Sequence, residues 1–141
     1  MKYGKLLLIT ALFLTITSPA FARTAWTKTQ LTNKVEQASR VYHLTYSQTK
    51  WLQKAALDIV FIGAAESHGA YWARNGQHAG MFQFTPSWSQ NKYDRTRHRN
   101  HKYRVNDWRL CPCCSVLRFV RSYRDGGKSA IERHWKATLY R

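Results

Sequence analysis

One carboxyl group in this chain, Glu66, has surroundings suited to acid catalysis. It follows small and apolar residues at helical spacing (Ala55, Ala56, Ile59, Val60, Gly63, Ala64) and precedes a polar, glycine-punctuated stretch carrying Tyr71, Trp72, Phe82, Phe84 and Trp88. A carboxyl group set between an apolar helix and aromatic rings loses solvation, which disfavours its charged form and raises its pKa. An acid that holds its proton near neutral pH can deliver it to a leaving oxygen, as cleavage of a glycosidic bond requires.

The supply of carboxylates is narrow. The chain has only seven, Glu36, Asp58, Glu66, Asp94, Asp107, Asp125 and Glu132, and after Glu66 none occurs until Asp94, inside a basic segment beside Lys92 and Arg95. Most glycosidases pair two carboxyl groups about 5 to 10 Å apart. Here a second one is not evident, which favours chemistry that needs a single acid.

Around Glu66, Ser67 is placed to hydrogen-bond the acid or its own backbone. Gln83 has a capping or loop hydrogen bond as its plain use. Tyr71, Trp72 and Trp88 have flat faces that suit the C–H face of a sugar, with core packing as the plainer use; Phe84 is either a further wall of the site or core.

Glu66-Ser67 followed by Gly80-Met81-Phe82-Gln83-Phe84-Thr85-Pro86, with Trp88 just beyond, resembles the catalytic core of the lysozyme-like superfamily, of the soluble lytic transglycosylase and resuscitation-promoting-factor types. The likeness covers about Ala55 to Trp88. It implies a mainly α, lysozyme-like (α+β) domain with a small hairpin or turn region beside the active-site cleft. It also implies cleavage of the β-1,4 bond between N-acetylmuramic acid and N-acetylglucosamine in peptidoglycan, with Glu66 as general acid and then general base and Gln83 near the sugar amide. No cofactor and no metal is implied. In these families the substrate's N-acetyl oxygen and muramyl 6-hydroxyl replace a second carboxylate, so 1,6-anhydro products are expected in place of the reducing ends a hydrolytic muramidase leaves. Where the soluble transglycosylases carry a late A-Y-N motif, this chain has Ala130-Ile131-Glu132-Arg133-His134-Trp135. An inactive exported peptidoglycan-binding module is the alternative from another class, and a basic nucleic-acid-binding protein the third.

The N-terminus predicts export. Lys2 and Lys5 precede an apolar run from Leu6 to Ile16, and Ala20-Phe21-Ala22 supplies an A-x-A cleavage site. Residues 1–22 read as a secretory signal peptide, with no stable membrane span because the apolar run is shorter than the ~20 residues a spanning helix needs. Residues 23–141 read as one domain in the periplasm or outside the cell. The chain of 141 residues has 23 basic and 7 acidic residues; without Lys2 and Lys5 the count is 21 against 7, a formal charge of +14. Export makes the carboxylates of the wall a nearer polyanion than nucleic acid. Small exported enzymes of the type it resembles open the wall for a secretion or conjugation apparatus, an expected partner beside the glycan strands.

Cys111, Cys113 and Cys114 form C-P-C-C. In an exported chain a disulfide is the expected use, and Cys111 with Cys114 has C-x-x-C spacing. A Cys2His2 zinc set with His98 and His101 is the sharper alternative, at an unfamiliar spacing. The basic stretch around Tyr93, His98, His101 and Tyr103 reads as a solvated surface loop.

The elements that must position these residues are helical. Leu31, Val35, Ala38 and Tyr42 recur at three- and four-residue steps and predict a helix over 29–43. Thr45-x-x-Gln48 has the form of a capping box and predicts a second helix running to about Glu66, with His68-Gly69 ending it. Ala79 to Trp88 predicts a turn or small hairpin. A further helix is expected from near Ser115, stopped by Asp125-Gly126-Gly127, and a last one carrying Ile131, Trp135 and Leu139 at steps of four.

The charge balance makes a first prediction. Binding to purified peptidoglycan should weaken steeply between low and high salt, since screening shortens the reach of exposed charges to about 8 Å at physiological ionic strength. Pull-down that is indifferent to salt would contradict it.

Overall fold

The computed structural model describes residues 23–63, 67–88 and 107–139. Residues 1–22, where a signal peptide is expected, Glu66, the basic stretch with Asp94, His98 and His101, and the last two residues lie outside the described residues. The fold is mainly helical with one two-stranded sheet.

Helix α1, Lys28–Val41, opens on Thr27, whose hydroxyl accepts from the Gln30 amide while the Gln30 side chain accepts from the Thr27 amide. This is a capping box that satisfies two orphan donors; the T-x-x-Q at 27–30 marks it in the sequence as clearly as the second one does. Helix α2, Tyr46–Leu57, opens on the Thr45–Gln48 box read from the sequence. The two pack as a pair through Leu31, Val35 and Ala38 on one side and Leu52, Ala55 and Ala56 on the other, all buried.

The second helix does not run on to Glu66. After Leu57 it widens into a π turn over Asp58–Ile62, and at Gly63 the backbone becomes extended (φ −64°, ψ 165°). The Gly63 amide bonds the Asp58 carbonyl at 2.9 Å. The Val60 carbonyl is taken by the amide of His68, also at 2.9 Å, so the chain turns back on the helix end it has just left. His68 and Gly69 follow with φ of 53° and 84°, a left-handed pair; the helical element has already ended at Ile62, short of the stop expected there.

The hairpin lies earlier than expected. Strands β1, Arg74–Asn75, and β2, His78–Ala79, pair antiparallel around a two-residue loop whose first residue, Gly76, has φ 61°. The loop is Gly76-Gln77, and glycine at the first loop position supplies the positive φ that tight hairpin turns require. The stretch from Ala79 onward is instead a tight turn closed by an Ala79–Phe84 bridge.

Helix α3, Pro112–Leu139, starts three residues before Ser115, at a proline suited to a first helical position. It is broken at Gly127 (φ 68°, ψ −162°), as the Gly126-Gly127 pair predicted, and departs from helical geometry again at Trp135. Its buried face, Val116, Phe119, Val120, Tyr123 and Ile131, completes the core over α1 and α2. Among the described residues no helix is long and apolar enough to cross a membrane.

Two glycines are fixed by close backbone approach. A Cβ on Gly80 (φ 83°) would lie 1.9 Å from the Arg109 carbonyl oxygen, and one on Gly69 would lie 2.1 Å from that of Trp26. Both obstacles are main chain, which a rotamer change cannot clear. Gly80→Ala should therefore destabilise by more than about 1 kcal/mol, readable in a denaturant melt, whereas Gly76→Ala, with open space at its Cβ, meets only the cost of its φ. Equal midpoints for the two variants would contradict the clash.

Candidate functional site

The turn carrying Gly80 to Phe84 is held by its carbonyl oxygens, four of which receive donors. The Gly80 carbonyl accepts from the Gln83 amide at 3.2 Å and the Gln83 side-chain nitrogen at 2.8 Å. Met81 accepts from the Ser67 hydroxyl at 3.0 Å, a bond inside the protein between residues on either side of the hairpin. Phe82 accepts from the indole N–H of Trp135 at 3.1 Å, and Phe84 from the Ala79 amide at 3.0 Å and the Arg109 guanidinium at 2.7 Å. A buried carbonyl left without a donor costs about 1 to 3 kcal/mol, so these partners define one conformation of the turn.

Arg109 is the most connected of them. Its Nη1 donates to the Gln77 and Phe84 carbonyls, while Nε and Nη2 fork onto the Asp107 carboxylate, Nη2 at 2.8 Å. The Arg109 carbonyl takes the Ser115 hydroxyl at 2.8 Å and lies against Gly80. Arg74 approaches the same carboxylate at 3.6 Å. Burial works to raise the Asp107 pKa, but the hydrogen bonds from the Arg109 side chain and backbone, with the charges of Arg109 and Arg74, outweigh it and hold the carboxyl below its ordinary 3.8.

Gln83 sits at φ 55°, an uncommon place for a residue with a Cβ, and strain of this kind concentrates at functional sites. Its side chain is folded over its own turn, with the Nε2 group also 3.4 Å from the Ala73 carbonyl. The Oε1 acceptor is buried and, among the described residues, receives no hydrogen bond. Both nitrogen contacts go to carbonyls, which fixes which end of the amide is which.

Of the residues expected to touch a sugar, the structure brings Ser67 and Gln83 onto the turn and places Trp88 at its far end. Ser67 is buried and its hydroxyl is committed to Met81. Phe84 is 1% exposed, enclosed by Phe82, Trp88, Trp108 and Trp135 at centroid distances of 4.8 to 5.8 Å. That ring offers no surface to a ligand and belongs to the core. Trp88 is half-buried, with the Arg118 guanidinium 4.6 Å from its ring centroid and His134 at 4.4 Å. Burial first, then the charges of Arg133 and Arg118, push the His134 pKa below its ordinary 6.5, favouring a neutral imidazole beside that tryptophan. Tyr71 and Trp72 are half-buried and meet edge to face at 4.9 Å, with the Arg23 guanidinium 5.8 Å from the Trp72 ring. They are the candidates that keep surface for a sugar face. Glu66 is bracketed by Gly63 and Ser67 but lies outside the described residues.

The three cysteines are buried where α3 begins. Cys111 stands just before Pro112 and its sulfur accepts from the Cys114 amide at 3.4 Å, a capping contact that sets the C-x-x-C pair one helical turn apart. The zinc alternative needs His98 and His101, which lie outside the described residues; within them no cluster of three metal-binding side chains occurs.

Arg109, Asp107 and Trp135 are essential to this arrangement and were not singled out as site residues from the sequence. Comparison of the chain with protein-family models, with curated proteins and with solved structures finds no match in any of the three.

Arg109→Met should unseat the turn and cost about 3 kcal/mol, since it leaves the half-buried Asp107 carboxylate with only the more distant Arg74. The sign of the pH effect follows from the lowered Asp107 pKa. The folded pKa lies below the unfolded one, so the contribution is full above about pH 4 and lost as pH falls through the folded value. Asp107→Asn should be less stable than the parent at pH 7 and lose less on acidification to pH 2; parallel curves would exclude the pair as the cause.

Proposed function

We propose that the chain is a lysozyme-like lytic transglycosylase that cleaves the bond between N-acetylmuramic acid and N-acetylglucosamine in peptidoglycan, with Glu66 as its acid and base. The observation that carries the reading is the bond from the Ser67 hydroxyl to the Met81 carbonyl. It joins the residue directly after Glu66 to the Gly80–Phe84 turn, so the two halves of the motif, distant in sequence, form one corner. The strained Gln83 with its unfilled acceptor adds support, because a sugar acetamido N–H is a donor of the kind that oxygen lacks. The half-exposed Tyr71 and Trp72 add a surface for a sugar ring.

In this reading the protonated Glu66 carboxyl gives its proton to the glycosidic oxygen as the bond to the muramyl C1 breaks. The substrate's own acetamido oxygen stabilises the positive charge at C1. The Glu66 carboxylate then takes the proton of the muramyl 6-hydroxyl as that oxygen closes onto C1, which restores the acid and yields a 1,6-anhydro end. No second carboxylate is used, in keeping with the pairing of two other acids: Asp58 with Lys54 at 3.0 Å and Asp107 with Arg109 at 2.8 Å. The reading places the protein in the exported compartment, acting on glycan strands, with a secretion or conjugation apparatus as the setting.

Glu66→Gln keeps the shape but cannot deliver a proton, and should reduce cleavage about 10² to 10⁴-fold. Mass analysis of muropeptides after digestion should give anhydro ends with the parent protein and with Asp94→Asn. Parent-like clearing by Glu66→Gln would remove the assignment; reducing ends together with an inactive Asp94→Asn would replace it by a two-carboxylate hydrolase.

A further inference from the structure

A second concave site lies between α2 and the last stretch of α3. It has a volume of about 200 Å³ and is lined by Trp51, Lys54, Ala55, Asp58, Glu132 and Leu139. Trp51, Lys54 and Ala55 of α2 lie three and four residues apart, and Asp58, the first residue of the π turn, stands four beyond Lys54, so the four share one side of the element. The lining mixes two carboxylates and an ammonium with an indole and two aliphatic side chains.

The charges are arranged in an unusual way. Lys128 stands one turn before Glu132, the position of the usual helical partner. Its ammonium lies instead 5.3 Å from the centroid of the Trp51 ring, which in turn packs on Tyr123 at 5.7 Å. Glu132 has no hydrogen bond or ion pair among the described residues, in a chain with 23 basic residues. Asp58 shares one oxygen, Oδ2, with Lys54. The cleft thus presents two carboxylates with spare acceptor capacity, the Lys54 ammonium, and an apolar wall whose Trp51 ring carries the Lys128 ammonium.

We infer that this cleft binds an aliphatic chain ending in an amino-acid zwitterion. Its ammonium goes to Glu132 and Asp58, its carboxylate to Lys54 and Lys128, and its methylenes to Trp51, Ala55 and Leu139. A purely cationic ligand would meet Lys54 and Lys128 without compensation, and a purely anionic one would meet the two carboxylates. Drug-sized ligands occupy roughly 300 to 1,000 Å³, so a smaller cleft suits one residue end and not a folded peptide. In peptidoglycan that end is the distal carbon of a diamino acid in the stem peptide. This identification of the source rests on the peptidoglycan reading; the binding itself does not.

The test uses protein purified after export and three seven- or five-carbon probes: meso-2,6-diaminopimelate, pimelate without the amines, and cadaverine without the carboxylates. The Trp51 indole resonance should shift with diaminopimelate in the millimolar range, and each truncated probe should bind at least about tenfold more weakly, the loss of one charged hydrogen-bonding partner. Glu132→Gln should weaken diaminopimelate by a similar factor, and Lys54→Gln should do so while leaving cadaverine unweakened, which keeps the proposal testable if either variant folds poorly. No shift with diaminopimelate, or cadaverine binding as tightly, overturns it. The assay contains no glycan and no cleavage, so its failure is separate from failure of the glycosidase reading.

Discussion

The forked pair between Arg109 and Asp107 is the constraint on which the site-bearing half of the molecule depends. Removing an arginine and a carboxylate from water costs several kcal/mol per ion, and that cost is met only because every direction of the guanidinium is used: two edges on the carboxylate, one on the carbonyls of Gln77 and Phe84. Those two carbonyls belong to the hairpin loop and to the end of the turn. One side chain therefore fixes the separation between the sheet and the turn, and its own carbonyl, seated on Gly80 and capped by Ser115, fixes the start of α3 against both.

The helices were readable because their signals are local. Thr45 and Gln48 lie three residues apart and act on each other, and Leu31, Val35 and Ala38 show their common face in the spacing alone. The helix stop at Gly127 is local too. By contrast, nothing near Arg109 in the sequence distinguishes it from the arginines of the basic segment that precedes it; its role exists only because the carbonyls of Gln77 and Phe84, 32 and 25 residues away, arrive within its reach. Phe84 could pass for a ligand-facing ring until Trp108 and Trp135 closed around it. The hairpin was a different case, since the loop glycine Gly76 stands three residues before Ala79, outside the alternating stretch.

The acidic residues show what a strongly basic chain does with a scarce group. Glu36 pairs with Arg40, Asp58 with Lys54, Asp107 with Arg109, and Asp125 with Arg121 and Arg124. Several aromatic faces are in turn covered by cations: Lys28 over Phe61, Arg118 over Trp88, Arg124 over Tyr42 and Lys128 over Trp51. Each such contact is worth about 0.5 to 1 kcal/mol at an exposed site, and together they give surplus positive charge a structural use that carboxylates would otherwise serve.

The π turn over Asp58–Ile62 also sets the direction in which the chain leaves the helix. A wide turn of this kind is what a helix becomes when it accommodates one residue more than its regular pitch allows. In an α-helix each residue advances about 100° around the axis, so the added residue rotates everything that follows by that angle relative to the helix before it. Ile59 and Val60 stay in the core while Ile62 is carried out to 56% exposure, a poor place for isoleucine if burial alone had shaped the segment. The exit at Gly63 inherits that rotation. With one residue fewer the segment would hold its regular pitch, and the chain would leave the helix on another side.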